Sequence, residues 1–250
     1  MHISSYLYLI IKDAKNMNEE TTKKLQEIIE AYNYLVQGID KREKASNERA
    51  YGGIVRAGKG KLVESIAEHL VRIAWKDLGK HENRLSFGHY TIKIPINKEY
   101  INKIESPEVR EFIIKNINRM YYRIKPDVQV YVDDNFKISI ECKAYTENAM
   151  LKRILVDCTL IKHVFSDVKF VLLQLESQLG GDYSKVFKEV HFGSPSTHTL
   201  LSYFDIDLNI ITLLEGERKV DKPIHKSEFF KPLRMEALIK AINILRDLLK

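Results

Sequence analysis

The apolar positions of the chain follow a helical pattern in three long stretches. Within residues 18–36 and 62–78, apolar side chains recur every three or four residues, and each stretch is followed by a glycine, Gly38 or Gly79. Residues 235–249 repeat the same spacing. Because this spacing forms one apolar stripe on a helix, the pattern predicts three helices that pack on a core, with glycines ending the first two.

Two further helices are indicated by other signals. Ser106 offers a side-chain oxygen as a helix cap, and Pro107 suits the first helical turn, so we expect a helix that runs to about Tyr122. Residues 146–165 also carry apolar side chains at helical spacing. These two helices flank residues 125–143, which show a different pattern.

Shorter apolar stretches predict strands between the helices. Residues 90–96 alternate apolar and polar side chains, whereas residues 168–175 and 208–214 are almost continuously apolar, as is typical of strands buried on both faces. Helices and strands are interspersed along the chain. This order predicts an α/β fold with a mixed central β-sheet flanked by helices.

The chain contains no internal repeat and no Pro/Gly/Ser-rich linker, so we expect its 250 residues to form a single domain. Its core would span about residues 60–215. A helical extension over about residues 1–50 would precede this core, and a C-terminal helix over about residues 235–250 would follow it.

Residues 127–143 carry two alternating runs around a turn signal at residues 133–135, which predicts a β-hairpin. Side chains alternate between the faces of a strand, so a loop of odd length pairs odd-numbered residues with odd-numbered ones. Asp127 would then stand opposite or diagonal to Glu141 and Lys143, about 5–8 Å away. A surface hairpin with an exposed ion pair would show the same alternation, and parity alone leaves both interpretations open.

Charge and cysteine content narrow the class of protein. The 40 Lys and Arg side chains exceed the 34 Asp and Glu side chains, and the net charge of +6 favours a polyanionic partner. Cys142 and Cys158 form no CxxC pair, so we expect no zinc cluster or disulfide framework, as is typical of a cytoplasmic protein. The apolar run at residues 6–11 is far shorter than the roughly 20 residues of a membrane span, so we expect no membrane partner.

The residues of the hairpin resemble the motif of a known family. Pro126-Asp127, followed by Glu141-Cys142-Lys143 on an adjacent strand, is similar to the PD-(D/E)xK motif of type II restriction endonucleases and their nuclease relatives. One helix before the hairpin, and a helix and a strand after it, are similar to the αβββαβ core of that family over nearly half the chain. The resemblance implies a restriction-endonuclease-like core with additional helices.

The resemblance also implies a site that hydrolyses phosphodiester bonds with Mg²⁺, or with Mn²⁺ as a substitute. Asp127 and Glu141 would bind the metal through carboxylate oxygens, and Cys142 through its backbone carbonyl. Lys143 would orient or deprotonate the attacking water and neutralise developing charge. Family members often add an acidic residue from the preceding helix, and we expect Glu64 to take that role.

Glu64 and Glu68 lie four residues apart, which places both on one face of the predicted helix. For each glutamate, a role in the catalytic site and a place on a solvated helix face both stay open. We favour Glu64 as the additional metal or water ligand. We expect at least one of the two to lie on the solvated face, as Glu68 would if it paired with Arg72.

Four cations are candidates for contacts with DNA. Lys59 and Lys61 belong to a glycine-rich segment that enters the second predicted helix, and helix entrances bind phosphate readily. The segment lacks the Walker A spacing, so we expect no nucleotide cofactor. Lys152 and Arg153 lie on the polar side of the helix after the hairpin, a region that often approaches DNA in restriction enzymes. The alternatives are a simple helix entrance for the first pair and a solvated face for the second.

We therefore expect a type II restriction endonuclease that acts as a homodimer on a short sequence in double-stranded DNA, with two-fold symmetry matching a palindromic site. A structure-specific nuclease, such as a Holliday-junction resolvase or a repair enzyme, is an alternative, although resolvases of this type resemble a smaller core. A non-catalytic nucleic-acid-binding protein is a second alternative, but it would have no need for intact Asp127, Glu141 and Lys143.

Overall fold

The computed structural model describes residues 18–43, 51–184 and 193–250. Its helices in chain order are α1 (Glu19–Glu43), α2 (Tyr51–Asp77), α3 (Lys98–Asn102), α4 (Pro107–Lys115), α5 (Asn148–Val164), α6 (Pro195–Ser202) and α7 (Met235–Leu248). Its strands are β1 (Leu85–Gly88), β2 (Ile92–Pro95), β3 (Tyr121–Ile124), β4 (Val128–Val132), β5 (Asn135–Glu147), β6 (Lys169–Gln178) and β7 (Leu208–Thr212). The apolar run at residues 6–11 and much of the predicted N-terminal extension lie outside the described residues. Within the described ranges, no helix combines the length and the apolar character that crossing a bilayer requires.

Five strands form one mixed sheet in the order β1-β4-β5-β6-β7, and β2 pairs with β3 in a second, two-stranded sheet. The β1–β4 and β4–β5 ladders are antiparallel, whereas β5–β6 and β6–β7 are parallel. The continuously apolar stretches lie in the parallel half, because strands covered on both faces have no solvated side. This topology confirms the predicted α/β class with a mixed central sheet flanked by helices.

Two hydrophobic cores cover the two faces of the main sheet. The first lies beneath α1, α2 and α7 and contains the fully buried side chains of Tyr32 and Trp75. The second lies beneath α5 and the β2–β3 sheet and contains Leu155 and Phe170. The face of the hairpin that bears the polar residues is therefore covered over much of its length, and even Gln129 is fully buried.

Of the two glycines predicted to end helices, Gly79 does so and Gly38 does not. Helix α2 ends at Asp77, and Gly79 follows it with a positive φ of 67° and an amide that donates to the Lys76 carbonyl. Gly38 lies inside α1, and the glycine-rich segment with Gly58 and Gly60 lies inside α2 instead of forming a loop before Leu62. A helical glycine costs about 1 kcal/mol relative to alanine, an amount that tertiary packing of a long amphipathic helix offsets. As a result Lys59 lies on a helix and is only 9% exposed.

The helix that begins at Pro107 is shorter than predicted. The amide of Val109 donates to the Ser106 hydroxyl, in agreement with the capping signal, but α4 ends at Lys115 and β3 begins at Tyr121. Tyrosine is common in strands, and pairing with β2 determines the conformation of this segment. Strands β1 and β3 and helices α3 and α6 were not predicted either, since elements of four to eight residues are too short to show a clear period.

The loop of the β4–β5 hairpin has two residues, not the three that the sequence suggested. Asp133 and Asp134 form it, with positive φ angles of 50° and 61°, as a type I′ turn requires. A two-residue loop by itself pairs odd-numbered residues with even-numbered ones, as it does for Val132 and Asn135. That register, continued along the hairpin, would separate the carboxylates of the predicted site.

A β-bulge at Lys137 changes this register. Val130 pairs with Ile138 while its neighbour Tyr131 pairs with Phe136, so Lys137 is the extra residue of β5. Phe136 consequently packs in the second core and Ile138 in the first. Beyond the bulge, odd-numbered residues of β4 pair with odd-numbered residues of β5, as predicted. The cause of this pairing is the bulge and not, as predicted, a loop of odd length.

Deletion of Lys137 tests this explanation of the register. It removes the extra residue and preserves the pairs on both sides, so we expect the variant to fold with a free energy of unfolding within about 2 kcal/mol of wild type. The control is deletion of Ser139, which moves Glu141 by one position and turns its carboxylate toward the first core. We expect that control to be unfolded. Equal urea midpoints for the two deletions would contradict the assigned bulge.

Candidate active site

Strands β4 and β5 place three polar side chains at one point of the main sheet. Asp127 directly precedes β4, while Glu141 and Lys143 lie two residues apart on β5 and therefore project from the same face. The ladder pairs Val128 with Ile140, so the next position along it sets Asp127 beside Glu141.

Lys143 bridges the two carboxylates. Its Nζ lies 2.6 Å from Oδ2 of Asp127 and 2.8 Å from Oε2 of Glu141. The backbone N–H of Cys142 donates a further hydrogen bond of 2.8 Å to the same oxygen of Asp127. The side chains of Asp127, Glu141 and Lys143 are 27%, 15% and 30% exposed. The cluster is therefore mostly buried but open to solvent on one side.

Burial and charge act against each other in this cluster. Burial raises the pKa of Glu141, an effect that Lys143 opposes and Asp127 reinforces. Burial alone would lower the pKa of Lys143, but the charges of Glu141 and Asp127 outweigh it and hold that pKa above its ordinary value of 10.5. In this arrangement Lys143 is protonated at neutral pH, so it serves as a hydrogen-bond donor and a positive charge.

Two clefts meet at Asp127. The first has a volume of about 490 Å³ and its lining side chains include Lys61, Glu64, Glu68, His89 and Lys125. The second has a volume of about 270 Å³ and its lining side chains include Tyr122, Arg123, Lys125, Glu141, Lys143, Arg153 and Asp157. Because Asp127 and Lys125 line both clefts, a ligand that spans the two clefts would contact Asp127, Glu141 and Lys143 together.

The donors in these clefts fit a hard divalent cation. Asp127 and Glu141 offer carboxylate oxygens at one point, and Glu64 offers another from the first cleft. Mg²⁺ is typically bound by one or two carboxylates, with water and phosphate oxygens completing its shell. Within residues 18–43, 51–184 and 193–250 there is no ready-made cluster of three His, Cys, Asp or Glu side chains. The Cys142 thiol faces the first core, where burial raises its pKa well above the ordinary value, so it is not available as a thiolate ligand.

The sequence is similar to that of a known enzyme over almost its whole length. It is 47% identical over 236 residues to the Type II restriction enzyme DdeI of Desulfomicrobium norvegicum, a match that covers 92% of this chain and 98% of that enzyme. This chain belongs to the type II restriction enzymes. No protein-family model matches it.

Among solved structures, the native BbvCI A2B2 tetramer at low resolution matches this restriction enzyme with 12% sequence identity and a TM-score of 0.33. The match covers 98% of this chain and 95% of the other. A TM-score of that size is too low to support conclusions about fold or assembly.

The two glutamates of α2 both line the first cleft of the restriction enzyme. Glu64 forms an ion pair of 2.9 Å with Lys61. Glu68 lies 3.6 Å from Nε2 of His89 and does not pair with Arg72. The guanidinium of Arg72 stacks on the ring of Phe87 instead. Neither glutamate therefore occupies the fully solvated helix face that was one of the two expectations.

Two of the four cations predicted to contact DNA lie at the clefts. Lys61 is exposed at the first cleft and Arg153 at the second. Lys59 is buried on α2, because the segment that carries it is helical and not the basic loop that was expected. Lys152 is exposed on α5 but lines neither cleft.

Residues at the clefts that were not predicted include His89, Asp157 and Lys125. Nδ1 of His89 lies 3.0 Å from the backbone carbonyl oxygen of Asp127. Asp157 lines the second cleft, 3.8 Å from Arg153, and burial raises its pKa. The spacing of four residues between Arg153 and Asp157 on one helix was a signal for the latter. His89 and Lys125 lie in connections between strands, where local patterning gives no such signal.

The raised pKa of Glu141 predicts how pH affects the stability of the metal-free enzyme. A carboxyl with a higher pKa in the folded chain than in the unfolded chain binds its proton more tightly when folded. Stability is therefore lost as pH rises from the ordinary value of 4.5 through the raised one. Glu141→Gln has no such titration, so its Tm relative to wild type should increase between about pH 4.5 and pH 7.5 in EDTA.

Glu215→Gln is the matched control, since it removes an exposed carboxylate that lines neither cleft. We expect no comparable rise for this variant. Thermal unfolding followed by circular dichroism provides the measurement. A Tm difference for Glu141→Gln that falls with increasing pH would contradict the assigned direction of the pKa shift.

Proposed function

We propose that this chain is a type II restriction endonuclease that hydrolyses phosphodiester bonds in double-stranded DNA at a short specific sequence. The observation that carries the proposal is the bridge from Lys143 to Asp127 and Glu141, 2.6 Å and 2.8 Å long, in a chain 47% identical to a restriction enzyme. That similarity extends over nearly the whole chain, which favours restriction over a structure-specific nuclease or a non-catalytic binding protein.

Asp127 and Glu141 would hold Mg²⁺, or Mn²⁺ in its place, with Glu64 contributing from the neighbouring cleft. The backbone carbonyl of Cys142 is the remaining ligand expected from the resemblance to PD-(D/E)xK nucleases. When bound, the metal neutralises phosphate oxygens and makes a coordinated water more acidic. The amide of Cys142 supports this role of Asp127, because it fixes one oxygen of the carboxylate at 2.8 Å.

Lys143 contributes charge and a hydrogen-bond donor to the reaction. Its ammonium group has three N–H donors, of which Asp127 and Glu141 accept two. The third can donate to a phosphate oxygen, where negative charge develops as water attacks phosphorus. Because the carboxylates hold its pKa above 10.5, the group stays charged at neutral pH, and donors already in place at a developing charge are effective catalysts.

The distribution of charge around the clefts suits this substrate. Asp127 and Glu141 lie within the clefts, whereas Lys61, Lys125 and Arg153 are exposed around them. DNA phosphates would be attracted to the cationic rim and a divalent metal to the carboxylates between the rim residues. The net charge of +6 has the same sign as the rim.

A homodimer would explain how one such site per chain cuts both strands of a duplex. Two copies related by a two-fold axis present the same surface to each half of a palindromic sequence. We propose this assembly for the enzyme on its DNA.

Substitutions in the cluster test the catalytic assignment. Asp127→Asn should abolish cleavage, because the amide keeps the shape of the side chain and removes its charge. Lys143→Ala should lower the single-turnover cleavage rate about 10²- to 10³-fold, the effect of losing one donor at a developing charge. Lys143→Arg should rescue it poorly, since a planar guanidinium does not replace a compact ammonium between two carboxylates. Wild-type activity should vanish in EDTA and return with Mg²⁺ or Mn²⁺.

Plasmid digestion is the assay, with Glu215→Gln and Lys222→Ala as controls that change charge at residues lining neither cleft. Discrete fragments from wild type indicate restriction. Cutting only at branched DNA would indicate a structure-specific nuclease, and no cutting at all would indicate a binding protein. Cleavage in EDTA, or a Lys143→Ala variant as fast as wild type, would show that the cluster is not the active site.

A further inference from the structure

The two-stranded β2–β3 sheet, here called the ribbon, carries two like charges in direct opposition. Lys93 of β2 is the cross-strand partner of Arg123 of β3, and both side chains are exposed. Like charges directly opposite each other destabilise an antiparallel pair. The pairing of Lys93 with Arg123 therefore lowers the stability of the ribbon, which suggests that the two cations are present for a function.

An aromatic ring, and no carboxylate, lies between these cations. Lys93 Nζ lies 4.9 Å from the centre of the Tyr121 ring and Arg123 Cζ lies 5.3 Å from it. Arg123 also donates a hydrogen bond of 2.9 Å to the Tyr121 hydroxyl. Within the described part of the chain neither cation forms an ion pair with Asp or Glu. The ring orients the two charges but leaves them without a neutralising partner.

The ribbon lies beside the catalytic cluster. Ile92 and Ile124, which pair across the ribbon, are buried in the second core and so anchor it on the side of α5. Tyr122 and Arg123 line the second cleft together with Lys143. Arg123 is thus held at the edge of the cleft in which the scissile phosphate would lie, and Lys93 is its cross-strand neighbour.

We propose that Lys93 and Arg123 form a phosphate clamp that binds the DNA backbone beside the site of cleavage. The clamp rests on the proposed function, since DNA is its ligand. Arg123 donates one of its five N–H groups to Tyr121, which leaves four for a ligand. We assign these donors to phosphate oxygens because two like charges held together suit an anion, so the clamp positions the duplex without reading its sequence.

The test compares duplex binding by wild type and by the double variant Lys93→Gln/Arg123→Gln. Lys222→Gln/Lys226→Gln is the matched control, because it removes two exposed positive charges from residues that line neither cleft. The probes are two duplexes of equal length, one spanning a cleavage position mapped with wild type and one lacking it. Affinity is measured in Ca²⁺ over a series of KCl concentrations.

We expect the clamp variant to bind both duplexes on the order of tenfold more weakly. Its slope of log K against log[KCl] should be shallower by about 0.9 for each phosphate that the protein no longer neutralises. The control should keep the wild-type slope. The Tm of the clamp variant should equal or exceed that of wild type, because the like-charge pair is removed. A purely structural role for the two cations would lower the Tm instead.

An unchanged slope and affinity would overturn the clamp, and so would a Tm loss that accounts for weaker binding. A loss of affinity confined to the duplex with the cleavage position would show that the residues read bases, which also overturns it. In all of these outcomes wild type still binds and cuts DNA. Wild type that neither binds nor cuts the duplexes would instead contradict the proposed function, and the two failures are therefore distinguishable.

Discussion

The register between β4 and β5 determines whether Asp127, Glu141 and Lys143 come together as the proposed catalytic cluster. Asp133 and Asp134 close a two-residue turn whose natural register pairs odd with even residues, and the bulge at Lys137 changes that register by one position. Because a shift of one residue moves every later side chain to the opposite face, the bulge places Asp127 beside Glu141 and keeps the intervening apolar residues in the first core. Folding and the proposed chemistry thus depend on the same register.

Lys143 stabilises the close approach of the Asp127 and Glu141 carboxylates, which would otherwise be unfavourable in free energy. Two carboxylates brought together in a half-buried place repel each other and lose hydration, and burial accordingly raises the pKa of Glu141. The ammonium group neutralises part of this charge in the metal-free protein, at 2.6 Å and 2.8 Å. In the proposed mechanism the same group also donates to a phosphate oxygen of the substrate. The like-charge pair of Lys93 and Arg123 on the ribbon is comparable to the two carboxylates. It is unfavourable in the free protein, and a bound anion would neutralise it.

The alternation and spacing of apolar residues predicted those features of the structure that depend on neighbours in the sequence. The alternation on either side of the turn correctly predicted that Asp127, Glu141 and Lys143 share a face, although it could not show the bulge, which depends on how β5 packs against both cores. Gly79 ends α2 as predicted, but Gly38 was overrated as a helix stop, because packing outweighs its cost within α1. Lys59 was misjudged because the glycines beside it lie within α2 and do not form a loop before it. His89 could not be predicted either, since it reaches the cleft through a connection between strands.

The central claim is that Asp127 and Glu141 share one divalent cation next to Lys143. The most direct measurement is an anomalous difference map from crystals of the enzyme with duplex DNA and Mn²⁺. We predict a strong peak within ligand distance of both carboxylates, with Lys143 Nζ in contact with a phosphate oxygen. A Mn²⁺ peak elsewhere on the DNA-bound protein, with Asp127 and Glu141 bound only to Lys143, would contradict the claim.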